Sequence, residues 1–433
     1  MSFLERQFKI TEAGSSIKTE ILAGITTFVT MSYIIFVNPD ILSKTGMDFN
    51  ALVVATCLSS AIATFLMAFM ANYPIGLAPG MGLNAFFAFS VVLGMQISWK
   101  VALTAVFIEG IIFILLTLTK LREEIVNAIP KSLKIGIAGG IGVFIAFIGL
   151  QSAGIVVKND ATLVALGHFK NNLPAALALG GLLLMAVLQA YRVTGALLIG
   201  ILAVTAASVG LGMTQLPTTF VSQPPSLAPI FWKMDFSMLK SPDFWIIVFT
   251  FFFVDFFDTV GTLVGVCSRS GLCDEDGRLP NAKGALMADA IGTVAGAVLG
   301  TSTVTSYVES ASGVAQGGRT GLSALVTAIL FVAAIFFVPI VGMVPAYATA
   351  PALILVGIYM MMGMQELNFN EWTELLPALL AFIMMPLAYS ISVGIEFGIV
   401  SFVLIKAFTG KSKEISPVMW LLAILFILKE ALA

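Results

Sequence analysis

The sequence predicts an all-α protein that threads a bilayer about fourteen times, in two inverted repeats of about seven spans each. Three observations carry that prediction. Of 433 residues, 59% are hydrophobic and only 11% charged, with a mean hydropathy of +1.02; soluble domains are typically about 45–50% apolar and about 25% charged. Long runs carry no charge at all, from Phe49 to Pro74 and from Thr320 to Met364, and a bilayer span needs roughly 20 mostly apolar residues. Two of the predicted spans are interrupted by glycine, proline or hydroxyl residues, and they hold matching places in the two halves.

Taken in order, the span cores are 19–38, 51–72, 76–94, 100–119, 133–153, 173–191 and 194–213 in the first half. The second half gives 243–267, 283–299, 303–316, 320–340, 345–363, 373–389 and 391–408. Ile415 to Leu428 is apolar but short, and suits a helix lying in the membrane interface. With the N-terminus inside, the inner side holds most of the 22 Lys and Arg, including Lys120, Arg122 and Arg278, as the positive-inside rule requires. Both termini are then expected in the cytoplasm. The N-terminal stretch is charged and amphipathic, and does not read as a cleaved signal peptide. The net charge of −2 argues against a nucleic-acid partner, and Cys57, Cys267 and Cys273 are too few for a disulfide framework.

The interrupted spans are Gly76-Leu-Ala-Pro-Gly-Met-Gly-Leu-Asn-Ala-Phe-Phe87 and Gly300-Thr-Ser-Thr-Val-Thr-Ser-Tyr-Val-Glu-Ser310. Pro79 and the glycines prevent a continuous helix. Irregular backbone at membrane depth is tolerated only where protein buries it or it lines a cavity. Each segment is therefore expected to end in a half-helix whose N-terminal amides point at a shared site in mid-membrane.

The acids supply the chemistry. Glu109, Asp255, Asp258, Asp289, Glu309 and Glu396 fall inside span cores, whereas Lys and Arg fall only near span ends. A charge at the bilayer centre costs about 2.5–3.5 kcal/mol on insertion scales, so such a carboxyl should carry a proton, accept a ligand's hydrogen bond or hold a cation. Asp255 and Asp258 are three apart and share roughly one helix side; Asp255 reads equally well as an acceptor for a neighbouring broken backbone. Asp289 suits support of the site, and Glu109 and Glu396 suit packing or gating. Phe28, Phe86, Phe253 and Tyr307 stand beside these polar features and could stack on a flat ligand. His168, the single histidine, falls in an outer loop and receives no role. Carboxylates flanking the half-helix tips disfavour an anion and suit a neutral, flat molecule rich in N–H donors. Amino acids, sugars and cations stay open on this logic.

Three motifs go further. Residues 76–87, Asp-Phe-Phe-Asp-Thr-Val-Gly-Thr-Leu-Val-Gly-Val (255–266) and Gly-Thr-Ser-Thr-Val-Thr-Ser-Tyr-Val-Glu-Ser-Ala-Ser-Gly-Val (300–314) resemble the AzgA-like purine permeases. So do Thr-Thr-Phe-Val-Thr-Met-Ser-Tyr (26–33) and Gly-Gly-Arg-Thr-Gly-Leu (317–322), and the resemblance runs nearly end to end. It implies the fold of the nucleobase–ascorbate transporter superfamily, with spans 1–4 and 8–11 forming a core and spans 5–7 and 12–14 a gate. On this chain the core would be 1–120 and 231–340, the gate 121–230 and 341–433.

The resemblance also implies secondary active uptake of adenine, hypoxanthine or guanine by proton symport, an elevator-like movement, no cofactor or bound metal, and no enzyme activity. A bacterial inner membrane and a homodimer, as in several relatives, are its further implications. Asp258 and Glu309 match the carboxylates that hydrogen-bond the base; Asn84 and Ala85 match the half-helix that meets it, Ala85 through its amide. Ser306, Tyr307, Phe28 and Phe253 are counted with these contacts. Thr262 stands where uracil-type relatives carry histidine, which leaves the coupling proton to Asp258 or Glu309, with Asp255 and Asp289 near them. Val254-Asp-Phe-Phe-Asp is similar to hypoxanthine/guanine members and the broken third span to adenine members, so the resemblance does not choose the purine. A sulfate-type anion carrier of the same architecture and a sodium-coupled nucleobase symporter are the alternatives; a channel fits the paired broken spans poorly. An intramembrane aspartyl protease needs its aspartates on facing helices, which Asp255 and Asp258 are not.

Overall fold

A computed structural model describes residues 3–119, 129–170, 172–270 and 280–432. Cys273, Lys120, Arg122 and Arg278 lie outside the described residues. The described residues are mainly helical, with two short antiparallel strand pairs. Among the described residues, 10 helices are long and apolar enough to cross a membrane. Of the other expected spans, Met81–Gly94, Ala196–Gly210 and Trp372–Leu387 are shorter apolar helices. The tenth is a strand followed by a six-residue helix. This is the multi-pass helical architecture that the hydropathy predicted.

Polar side chains set the helix boundaries. Asp48 accepts the Ala51 N–H at 2.8 Å and starts α4, Phe49–Leu66; Asn281 accepts the Gly284 N–H at 3.3 Å and starts α11, Ala282–Leu299. These caps replace partners that a helix end lacks. The first span bends after α2, Ile17–Met31, at Ser32 and Tyr33, before continuing as α3, Ile34–Ser43. Gly300 ends α11 with φ +97°, and a Cβ there would stand 2.7 Å from the Ile230 side chain and 2.8 Å from its carbonyl oxygen. Both the left-handed conformation and the space require glycine.

Packing falls into two groups of helices. One unites α2, α4, α6 (Trp99–Leu118), α10 (Pro242–Ser270), α11 and α13 (Gly321–Ala334). The other unites α7 (Lys131–Ser152), α8 (Leu173–Ala190), α9 (Ala196–Gly210), α15 (Ala346–Met361), α16 (Trp372–Leu387) and α17 (Ile391–Phe408). In the second group glycines bring backbones together: a Cβ on Gly357 would lie 2.3 Å from the Gly142 carbonyl oxygen.

The interrupted segments meet at the centre of the first group. β1, Leu77–Pro79, pairs antiparallel with β4, Val304–Ser306, in the register Leu77↔Ser306, Ala78↔Thr305 and Pro79↔Val304. The Gly80 N–H to Thr303 and the Tyr307 N–H to Gly76, each 3.0 Å, extend the ladder at its two ends. Two strands alone would leave both outer edges unsatisfied in an apolar interior. A threonine from the preceding helix closes each edge. Thr64 donates to the Leu77 carbonyl and accepts its N–H, at 3.0 and 2.9 Å. Thr293 does the same for Val304, at 2.9 and 3.2 Å. The two halves thus solve one backbone problem with the same residue type on corresponding helices, as an inverted repeat would. A Cβ on Gly80 would stand 2.5 Å from the Thr305 methyl, which ties the crossing to glycine.

Candidate substrate site

The strand crossing places two half-helices and the acid-bearing helix α10 around one point. After β1 the chain enters α5, Met81–Ala85, with Gly80 as its cap. The Asn84 N–H already bonds Gly80 at 2.8 Å, so the amides that this helix leaves free are those of Met81, Gly82 and Leu83. Ala85, expected to meet the ligand through its own amide, sits one turn further in and is buried. Asn84 is fully buried, takes a hydrogen bond from Ser302 on Oδ1, and has no partner on Nδ2. After β4, Glu309 caps the six-residue α12, Ser310–Ala315.

Asp258 and Glu309 are only half-buried, while Asp255 and Asp289 are completely buried. Asp258 and Glu309 act on one another electrostatically. Oε1 of Glu309 accepts the Tyr33 hydroxyl at 2.7 Å, and Tyr33 packs against Tyr307 with ring centroids 6.5 Å apart. Tyr359, on α15 of the second helix group, also comes near Glu309. The Tyr307 hydroxyl donates to the Pro79 carbonyl at 2.5 Å, locking one broken segment to the other. Ser306 is buried with an unpartnered hydroxyl, and Thr262 is buried one turn beyond Asp258. Phe253 stacks on Phe257 at 4.7 Å, on the same helix as Asp258. Phe28 turns elsewhere, edge-on to Phe331 at 5.2 Å in an apolar groove with Phe36, Leu198 and Phe337. Phe86 is fully buried against Phe251.

Behind the crossing, Asp289 accepts the Thr259 hydroxyl at 2.9 Å, and Thr259 meets Thr305 at 2.7 Å. Sequence reading missed Tyr33, Tyr359, Thr259 and Thr305. Tyr33 closes one of the quoted motifs, but isolated hydroxyl residues give no periodic signal. Chemically, the site offers two carboxyl acceptors, one oriented by a phenol, and the free amides of a half-helix, with no basic side chain among the described residues at this point. Such a set suits a small neutral ligand with donors on one edge and acceptors on another.

The pattern of the permease family Xan_ur_permease matches residues 18–397. A Methanocaldococcus jannaschii protein named as a permease is 51% identical over 99% of this chain and 98% of its own. The guanine/hypoxanthine permease PbuG of Bacillus subtilis is 46% identical over 97% of this chain and 98% of its own; the adenine permease AdeP of Escherichia coli is 43% identical over 98% and 95%. In fold, the chain is similar to the transmembrane domain of the cyanobacterial bicarbonate transporter BicA, with a TM-score of 0.67 at 16% identity, covering 87% of this chain and 97% of that one. These relatives are transporters and not enzymes, and the chain belongs to the xanthine/uracil permease family.

Proposed function

We propose that this protein imports purine nucleobases, namely adenine, hypoxanthine or guanine, by proton symport. The observation that carries the reading is the half-buried pair Asp258 and Glu309 at the strand crossing, on which no basic side chain among the described residues acts. A purine presents ring N–H and exocyclic donors to these carboxyls, while its ring nitrogens or carbonyl suit the free amides of Met81, Gly82 and Leu83. Asn84, Ser306 and Thr262 border the ligand, and Phe253 and Tyr307 contribute ring surface. The names of the relatives, adenine and guanine/hypoxanthine permeases, support the same class of substrate.

Moving a neutral base across a membrane uphill requires a second, charged solute. A proton on Asp258 or Glu309, with Asp255 and Asp289 behind them, meets that need, because it changes the charge of the group that holds the base. Residues 1–120 and 231–340 act as the core, and 121–230 and 341–433 as the gate against which it slides. The packing of the helices in two groups supports this division. The protein works in a bacterial inner membrane with both termini in the cytoplasm, as a homodimer.

Uptake of labelled adenine, guanine, hypoxanthine and uracil into cells lacking their own base permeases, with and without a protonophore, tests this. Saturable purine uptake that collapses with the protonophore supports the reading. From a well-expressed protein, absence of base uptake refutes it, and uptake that follows sodium instead refutes the proton.

A further inference from the structure

Glu109, on α6, lies outside the substrate site and is completely buried. Its helix packs against α10 and α11. The titratable groups these present to it are Asp255, Asp289 and, one turn along, Asp258, with no Lys, Arg or His among the described residues there. The loop before β4 adds Thr303, buried and with an unpartnered hydroxyl. The carboxyls of Glu109 and Asp255 face each other within hydrogen-bonding reach. Yet the Thr303 hydroxyl beside Glu109 is not at hydrogen-bond distance, and among the described residues no donor reaches any of these four oxygens or Oδ2 of Asp289. Two ionised carboxylates cannot hydrogen-bond one another, and an unpaired buried charge is far costlier than a shared proton. The arrangement is satisfied when one proton sits between Glu109 and Asp255.

A second count concerns the path outward. Asp289, Thr259, Thr305 and Asp258 form a chain with contacts of 2.9 Å and 2.7 Å, and then Thr305 against the Asp258 carboxyl. With Thr305 bonded to the Asp258 carboxyl as well, three hydrogen bonds need three protons, and the two hydroxyls supply two. One of the terminal carboxyls must bring the third. The chain therefore has two equivalent states. In passing between them, the Asp258 proton moves to Thr305 Oγ1, the Thr305 proton to Thr259 Oγ1, and the Thr259 proton to Asp289 Oδ1. No atom or charge is left over; one proton has crossed from the face that meets the ligand to the buried cluster.

We propose that Glu109 and Asp255 share a proton and, with Asp289, form a proton store that exchanges with Asp258 through Thr305 and Thr259. The proposal deepens the symport reading and rests on it. It gives Glu109 a role in coupling, where its sequence context suggested packing or gating. Asp258 can then release its proton into the store while it accepts the base's N–H, and take the proton back when the base leaves.

The test uses the full-length protein in lipid vesicles. Infrared spectra at neutral pH, with no nucleobase present, are expected to show a protonated carboxyl band that Glu109→Gln removes or shifts. An unchanged carboxyl spectrum in that variant overturns the proposal, and so does a wild-type band that sodium abolishes at constant pH, which would make the cluster a cation site. In vesicles with an imposed pH gradient, Glu109→Gln and Thr259→Ala are expected to exchange labelled purine, yet to reach an inside-to-outside ratio of about one because coupling is lost. Wild-type accumulation in both variants overturns the proposal. If Glu109→Gln does not fold, Thr259→Ala decides the second arm alone. Failure of the infrared arm counts against the store only, whereas a wild-type protein that exchanges no purine counts against the function beneath it.

Discussion

Tyr33→Phe removes one oxygen atom and leaves the ring. In the native protein that hydroxyl donates to Oε1 of Glu309 at 2.7 Å, from a residue only 1% exposed. The bond fixes the carboxyl rotamer. A hydrogen bond to a charged group contributes about 1.5–3 kcal/mol, and each 1.4 kcal/mol is a factor of about ten in affinity. If orienting Glu309 serves binding, the variant should bind its purine about 10- to 100-fold more weakly. The fold should persist, because the packing of the ring against Tyr307 at 6.5 Å is kept. Equilibrium binding of labelled base to the purified variant, beside a thermal unfolding curve, measures both. An affinity within about twofold of wild type would mean that the bond has no part in binding and leave Tyr33 as a packing residue.

Other perturbations follow from the same geometry. Glu309→Gln should abolish uptake, or nearly so, while the protein still reaches the membrane; normal uptake would remove Glu309 from the site. Asp289→Asn should lower the transport rate more than the apparent affinity, since Asp289 meets Thr259 at 2.9 Å behind the crossing, and a pure affinity loss would put it against the ligand. Gly357→Ala forces a Cβ to 2.3 Å from the Gly142 carbonyl oxygen, and to 2.9 Å from the Ala146 amide nitrogen. Overpacking against backbone should cost about 1–3 kcal/mol, read as a lower unfolding temperature; an unchanged transition would show that α7 and α15 can separate freely.

Much of this architecture was legible because membrane physics leaves few options. Uncharged runs such as 320–364 announce spans, and Pro79 among glycines announces a break that only a buried site can hold. Acids without basic partners mark the neighbourhood of the site on the same grounds. What the residue pattern does not carry is proximity between distant hydroxyls and carboxyls. Tyr33 and Glu309 are 276 residues apart, and Thr259 and Thr305 are 46 apart. They meet only because the two broken segments cross. Glu109 stands in an apolar helix where a lone acid reads as packing, and its meaning comes from Asp255 on another helix. Phe28 shows the converse. It lies within the quoted motif 26–33, yet its ring meets Phe331 edge-on. Thr64 and Thr293, which close the strand edges, are ordinary threonines until the strands they serve are known.

Whether a purine is held between Asp258 and Glu309 decides the function most directly. Equilibrium binding of labelled hypoxanthine, guanine, adenine and uracil to the purified wild-type protein, and to Asp258→Asn and Glu309→Gln, tests it. Saturable binding of at least one purine in preference to uracil, lost in both variants while they remain folded, is the predicted result. A purine bound equally well by both variants, or no purine bound by a folded wild-type protein, would contradict it.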